Sequence, residues 1–399
     1  MFETAEIKPL EYVPALDGVR GVFCLLIITH HWVMPYLQGP FALLWWILQL
    51  FFVLSAYLIT KILIYDKNRL SPRHLLKKFY TRRALRIFPL YFLYIFLIGG
   101  LLLLAGTTPT GATNHDVIYF KENWGFLLTY TYNFAEIANY FRGVNFIPAP
   151  LFSHLWSLSL EEQFYFIFPL IITLMPLKYF KYAVIGLILL APAIRGIAYH
   201  IFANINPDRE WLGLIAFRNT IFQMDSLAYG MAIAIFDIEK IKKPLRLFIV
   251  ILTIWFIYTF TSGYFIMDSG HAASVWSAIK EYLFMTYHYN YIFLFTLSNI
   301  MCATFVIALI RNQALAKIFS GKFVVYLGKI SYSMYVWHYV GMILTAGILT
   351  LFIGDIKKYF GNFFIELGIF IFYMSVVIFI SHLSYKYFEM YFVKLKNKV

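Results

Sequence analysis

The side chains best able to do chemistry stand inside apolar runs, where they are expensive. Asp17, Arg20, His30 and His31 occupy one such run, Glu161 and Glu162 a second, and His338 a third. An ionisable group inside a membrane helix costs several kcal/mol unless it is paired or hydrated, so each is a functional candidate by default. A neutral imidazole near pH 7 is suited to taking a proton from a hydroxyl. At about 100° per residue, Arg20 and His31 lie three turns apart on nearly one helical face, roughly 16 Å apart along the axis. Asp17 lies about one turn below Arg20 on that stripe, and His30 points about 100° away from His31. The geometry selects His31 over its neighbour. A packing histidine before Pro35 is the plainer alternative.

Further candidates fall into three groups. Arg83 and Arg86 are spaced i, i+3 and share a face. Their forked guanidinium groups suit phosphate oxygens, although taken by themselves they read more readily as a topology anchor. His154, Ser157, Glu161 and Tyr165 form one stripe at helical spacing. Two adjacent glutamates, Glu161 and Glu162, are hard to explain as packing, so at least one should face a polar cavity. In the third group Ser331, Tyr335 and His338 share a face, as lining or as hydrogen-bonded glue between helices. No GxSxG elbow, HExxH helix or P-loop lysine occurs. Adjacent histidines are not ligand spacing on one face, so no metal is expected. Cys24 and Cys302, both in apolar segments, supply no disulfide framework.

These residues must be carried by membrane helices. The 399-residue chain is 61% hydrophobic and 13% charged, against roughly 25% charged in soluble domains. Its apolar blocks approach the ~20 residues a span needs. The predicted fold is all-α, a polytopic helix bundle forming one domain over 1–399. The spans are Val13–Tyr36, Phe41–Tyr65, Phe88–Gly106, His154–Met175, Tyr182–Phe202, Leu212–Phe236, Arg246–Gly263, Tyr291–Ile310, Val324–Phe352 and Asn362–Phe388. Tyr119–Tyr140 is amphipathic and interrupted, and reads as an interfacial or re-entrant piece. The loop Asp66–Arg86 holds Lys67, Arg69, Arg73, Lys77, Lys78, Arg82, Arg83 and Arg86, which places it in the cytoplasm. About 25 of the 33 lysines and arginines then fall inside, and both termini are cytoplasmic. Orientation thus accounts for the net charge of +13 and leaves nucleic acid unsupported as a partner. An acidic first stretch, with Glu3, Glu6, Glu11 and Asp17, argues against a cleaved signal peptide.

Five phrases, in order along nearly the whole chain, resemble the acyltransferase-3 family of integral membrane O-acyltransferases. They are ALDGVRGV followed by His31, FFVLSAYLIT at Phe51–Thr60, RRALRIFPLY at Arg82–Tyr91, HLWSLSLEEQFYFIFPL at His154–Leu170 and ISYSMYVWH at Ile330–His338. Arg20 and His31 have the family's opening-helix spacing, and Arg83 and Arg86 match its paired arginines. Ala56 stands where glycine is usual, and Gln223 where relatives often carry a basic residue.

The resemblance implies a cytoplasmic acyl-CoA donor, commonly acetyl-CoA, as co-substrate with no permanently bound cofactor. It also implies a carbohydrate or cell-envelope glycan hydroxyl as acceptor, and a bacterial inner membrane location. An SGNH-type domain, carried by some relatives, is not expected here. On this reading His31 is the general base, and Glu161 binds acceptor hydroxyls or tunes the histidine. Asp17, Arg20, Arg83 and Arg86 hold the donor, and His154, Ser157, Glu162, Tyr335 and His338 line the cavity. A transporter or flippase for a lipid-linked sugar is the competing reading, since midplane polar residues suit transport too. Against it, no half-to-half repeat is evident.

Overall fold

The computed structural model describes residues 12–31, 42–106, 115–142, 150–205, 213, 215, 217–236, 238–282, 289–354 and 362–396. Every regular element among them is helical. Helix α1 spans Pro14–His30, with proline at the first position, where a missing N–H costs least. A 3-10 turn, Ala42–Trp46, leads into α2, Ile47–Lys67. Then come α3 (Pro72–Ala105), α4 (His115–Leu128), α5 (Ala135–Phe141) and the single turn α6 (Pro150–Ser153). Next are α7 (Leu155–Leu174), α8 (Leu177–Ile205), α9 (Met224–Ile235), α10 (Pro244–Asp268) and α11 (Val275–Tyr282). The remainder are α12 (Asn290–Arg311), α13 (Gln313–Phe319), α14 (Lys322–Ile353), α15 (Phe363–Leu383) and α16 (Met390–Lys396). Between α15 and α16 the chain stays helical through a π turn, Ser384–Glu389.

Among the described residues, seven helices are long and apolar enough to cross a membrane: Leu43–Lys67, Pro72–Leu104, Leu177–Ile201, Pro244–Asp268, Asn290–Arg311, Lys322–Phe352 and Phe363–Leu395. Three expectations need correction. Asp66–Arg86, read as a loop, is helical from Pro72 onward, so Arg83 and Arg86 sit inside α3. Its Leu, Lys and Arg residues are good helix formers, and the helix continues past the apolar run. Leu212–Phe236, read as one continuous span, is interrupted: residues 213, 215, 217 and 218 are helical, Asn219 and Thr220 are not, and after a 3-10 turn, Ile221–Gln223, α-helix runs over Met224–Ile235. Twelve residues reach only ~18 Å, against a hydrocarbon core of ~30 Å. His154 lies in a turn between α6 and α7 and does not open the helix. Residues 32–36 of the expected first span lie outside the described residues. The interrupted Tyr119–Tyr140 piece is observed as α4 and α5 with Tyr130 between them at φ 53°.

The chain divides into two compact units. The first comprises Met1–Val19, Ala42–Leu76 and Tyr165–Val325. In it α9 packs on α2, α8 and α12, and α10 packs on α11 and α12. A Cβ added at Gly230 would collide with the Val53 carbonyl and press on Ala56 and the Tyr57 nitrogen. Small residues at this crossing let the α2 and α9 backbones approach closely, which is how membrane helices associate without a hydrophobic drive. Gly230→Val should therefore destabilise the protein by at least about 1–3 kcal/mol, read as lowered thermal stability in detergent. Lys67 caps the far end of α7: its Nζ donates to the carbonyls of Ile172 at 2.5 Å, Thr173 at 3.2 Å and Met175 at 2.6 Å. A cation there meets both the orphaned carbonyls and the negative end of the helix dipole.

Deep in this first unit Arg195 of α8 makes a bidentate ion pair with Asp225 of α9, at 2.9 and 2.8 Å. Both side chains are fully buried. Arg195 also donates to Thr296 Oγ1 at 3.1 Å and to the Phe222 carbonyl. Beside the pair, Ser226 Oγ lies 2.8 Å from Asn299 Oδ1 and 2.9 Å from Gln223 Oε1.

The second unit comprises Arg20–Phe41, Lys77–Phe164 and Tyr326–Val399. Tyrosine hydroxyls pin its helices through backbone carbonyls: Tyr91 to Leu127 at 2.8 Å, Tyr94 to Leu151 at 2.5 Å and Tyr332 to Ile87 at 2.8 Å. Gln163 Nε2 donates to the Tyr130 carbonyl and to Asn133 Oδ1, each at 2.7 Å, fastening α7 to the break between α4 and α5.

Candidate active site

The second unit gathers three histidines from three parts of the chain. His31 follows the last residue of α1, and its N–H still bonds the Ile27 carbonyl at 3.0 Å. His338 lies within α14 and is fully buried. His31 Nδ1 and His338 Nε2 are 2.9 Å apart, with the rings stacked at 5.0 Å between centroids. His338 Nδ1 in turn lies 2.6 Å from the Tyr335 carbonyl, one turn back. His154 sets its ring edge-on to His338 at 4.8 Å. Its Nε2 donates to the Val336 carbonyl at 3.2 Å, while its Nδ1 is buried with no hydrogen-bond partner. Tyr339 stacks within this group, 4.3 Å from the His338 ring and 5.5 Å from that of His31. His30 contacts the cluster through His31, ring centroids 5.8 Å apart.

Ser157 and Tyr335 hold the cluster together. The Tyr335 hydroxyl donates to the His154 carbonyl at 2.9 Å and lies 2.6 Å from Ser157 Oγ. Those hydroxyls tie α7 to α14 and fix the turn that presents His154. Glu162 is buried, with Arg83 within electrostatic reach and Oε1 lacking a hydrogen-bond partner. Glu161, half-buried, is within electrostatic reach of Tyr335 and Tyr332. Arg86 is similarly placed relative to Glu389. Glu389 accepts hydrogen bonds from Ser333 Oγ at 2.5 Å and Ser384 Oγ at 3.0 Å.

Thus His31, His154, Ser157, Tyr335 and His338 come together, and Arg83 and Glu162 lie elsewhere in the same unit. Asp17 belongs to the first unit, where it accepts from the Tyr12 hydroxyl at 2.9 Å, whereas Arg20 belongs to the second. Tyr339 and Glu389 were missed. Tyr339 had a usable signal, since it follows His338 directly; Glu389 had none, because the π turn sets its direction. Arg195 and Asp225 were missed too, although a lone arginine in the apolar run Tyr182–Phe202 is a signal by itself. Arg195 supplies the guanidinium near Asp225, and buried Gln223 donates to the Phe217 carbonyl at 2.7 Å. Among the described residues no group of three or more His, Cys, Asp or Glu side chains could hold a metal ion.

A histidine hydrogen-bonded to a second histidine can take a proton from a hydroxyl, and the buried carboxylate and the arginines elsewhere in the same unit can hold polar groups. Comparison with known proteins agrees in kind. The profile of the acyltransferase-3 family, described as an acyltransferase domain, matches residues 13–386. A Staphylococcus aureus (strain COL) protein named provisionally as an O-acetyltransferase is 28% identical over 97% of this chain and 58% of its own length. The peptidoglycan O-acetyltransferase OatA of Listeria monocytogenes is 30% identical over 85% of this chain and 51% of its own. The O-acetyltransferase OatA of Staphylococcus aureus (strain NCTC 8325) is 27% identical over 84% and 53%. The chain thus spans just over half the length of these curated relatives. No solved structure matches it.

Proposed function

Because this chain belongs to the acyltransferase-3 family, we propose that it moves an acyl group, most simply acetyl, from cytoplasmic acyl-CoA to a hydroxyl of a cell-envelope glycan. The observation that carries this reading is the imidazole cluster of His31, His338 and His154 in the second unit. His31 takes the proton of the acceptor hydroxyl as the oxygen attacks the thioester carbonyl. The new C–O bond forms, the C–S bond breaks, and the imidazolium returns its proton to the departing CoA thiolate. The thiolate is a good leaving group, so the chemistry needs no metal. His154 Nδ1 and the Glu162 carboxylate are acceptors suited to neighbouring sugar hydroxyls. Glu161 assists from one helical turn beyond Ser157 on α7. Arg83 and Arg86 grip the CoA phosphates, and Arg20 orients the donor. The name of the Listeria monocytogenes relative, a peptidoglycan O-acetyltransferase, supports a glycan acceptor.

Purified protein incubated with labelled acetyl-CoA should hydrolyse it slowly, and membranes containing the glycan should accept the label. Folded protein that leaves acetyl-CoA intact would overturn the reading and favour transport.

Two further results are expected. C-terminal reporter fusions at Lys78 and Lys242 should report cytoplasm and a fusion at Ser269 the outside, from the asymmetry of basic residues. An outside signal at Lys78 would reverse the donor's side. Arg86→Lys should weaken acetyl-CoA binding by about 1.5–3 kcal/mol although the charge is kept, because the fork is lost. Unchanged donor affinity in a folded Arg83→Ala/Arg86→Ala protein would return both arginines to a topological role.

A further inference from the structure

The His31–His338 contact fixes more than a distance, given that His31 is the base proposed above. A backbone carbonyl only accepts hydrogen bonds. His338 Nδ1, 2.6 Å from the Tyr335 carbonyl, must therefore carry a hydrogen. His338 is fully buried in an apolar helix, where an imidazolium would be costly, so it is neutral and its Nε2 holds the lone pair. The hydrogen between the two rings, 2.9 Å apart, then belongs to His31 Nδ1. Neutral His31 has its own lone pair on Nε2. From this chain of hydrogen bonds we infer that His338 is a positioning residue that holds His31 in the Nδ1–H tautomer, making Nε2 the atom that receives the acceptor's proton.

In water, neutral histidine favours the opposite tautomer, with hydrogen on Nε2, so the arrangement departs from the default. When His31 takes the proton, its Nδ1–H continues to donate to His338 Nε2. The relay thus orients the ring before the reaction and gives the imidazolium a partner during it. The Tyr335 carbonyl anchors the far end, and the Tyr335 hydroxyl, through His154 and Ser157, holds that stretch of α14 against α7. A neutral histidine does here what a carboxylate often does for a catalytic imidazole. Unlike a carboxylate, it places no full charge in the membrane.

The test uses the full-length protein in lipid nanodiscs. His338→Leu removes the acceptor; His338→Gln can return one, through Oε1. His338→Leu should lower kcat for acyl transfer by about ten- to a hundredfold, as loss of a supporting partner does elsewhere. KM for acetyl-CoA should be unchanged, and His338→Gln should recover to within a few-fold of the parent. Nitrogen-15 spectra of histidine-labelled protein, with the His31 signals assigned by His31→Ala, should show the Nδ1–H tautomer in the parent and its loss in His338→Leu. A parent His31 already carrying hydrogen on Nε2 would overturn the inference. So would a His338→Leu protein with parental kcat while His31→Ala is inactive, and that result would leave the acyltransfer reading standing. Full activity in His31→Ala would remove the base itself, and the relay with it.

Discussion

His31→Ala should lose acyl transfer by on the order of 10²–10⁴-fold, while His30→Ala keeps substantial activity. The two histidines are adjacent, of one chemistry and both half-buried. What separates them is direction: His31 reaches His338 at 2.9 Å and stacks on Tyr339, both on α14. In the proposed mechanism, removing His31 leaves the acceptor hydroxyl protonated, and a neutral alcohol attacks a thioester poorly. Expression and acetyl-CoA binding should survive, because the proposed function assigns the donor's phosphates to arginines on α3. The measurement is acyl transfer to the native glycan by both variants at matched membrane levels. A dead His30 variant beside an active His31 variant would show the base to be misassigned.

The second large effect belongs to the first unit and to stability. Arg195→Ala should strand the buried Asp225 carboxylate and cost about 3–5 kcal/mol, as removal of one partner of a buried ion pair does. Folded yield and thermal stability in detergent would report it. Asp225→Ala should do the same by stranding the guanidinium, which also serves Thr296 and the Phe222 carbonyl. Arg195→Met combined with Asp225→Leu should recover much of the loss, because no uncompensated charge remains. Two single variants as stable as the parent would mean that water reaches the pair.

How much of this was legible beforehand follows from what periodicity carries. The all-helical membrane class came from the length of the apolar runs. His31 came from its phase relative to Arg20. Ser157 and Tyr335 were each assigned a face of one helix, and the structure brings their hydroxyls to 2.6 Å of each other. Periodicity says which residues share a face of one helix; it does not say which helices are neighbours. That His338 would be the partner of His31, 307 positions away, was therefore out of reach. Residues in the basic segment before Phe88 were read as loop because charge was taken to end the helix, whereas charge only ends the membrane. His154 was read as helical because its spacing to Ser157 fits, and spacing cannot reveal a break between α6 and α7. Arg195 and Asp225 lay in plain view as charges in apolar runs, and neither fell within the phrases that drew attention.

The π turn at Ser384–Glu389 makes the last helix a mechanism for indexing. A π turn holds one residue more than the α-helical turn it replaces, and such bulges recur at functional sites. Upstream and downstream faces are therefore offset by about 100°, one residue's rotation. Glu389 reaches Ser333 and Ser384 only because of that offset. Deleting any single residue between Ser384 and Glu389 would let the segment relax to regular α-helix, still long and apolar. The same deletion would leave Glu389 pointing close to its present direction, because the residue removed and the offset lost cancel. A change that forced this turn into α pitch with all its residues kept would instead rotate Glu389 away from Ser333, while length and hydropathy, the properties a membrane selects, stayed the same.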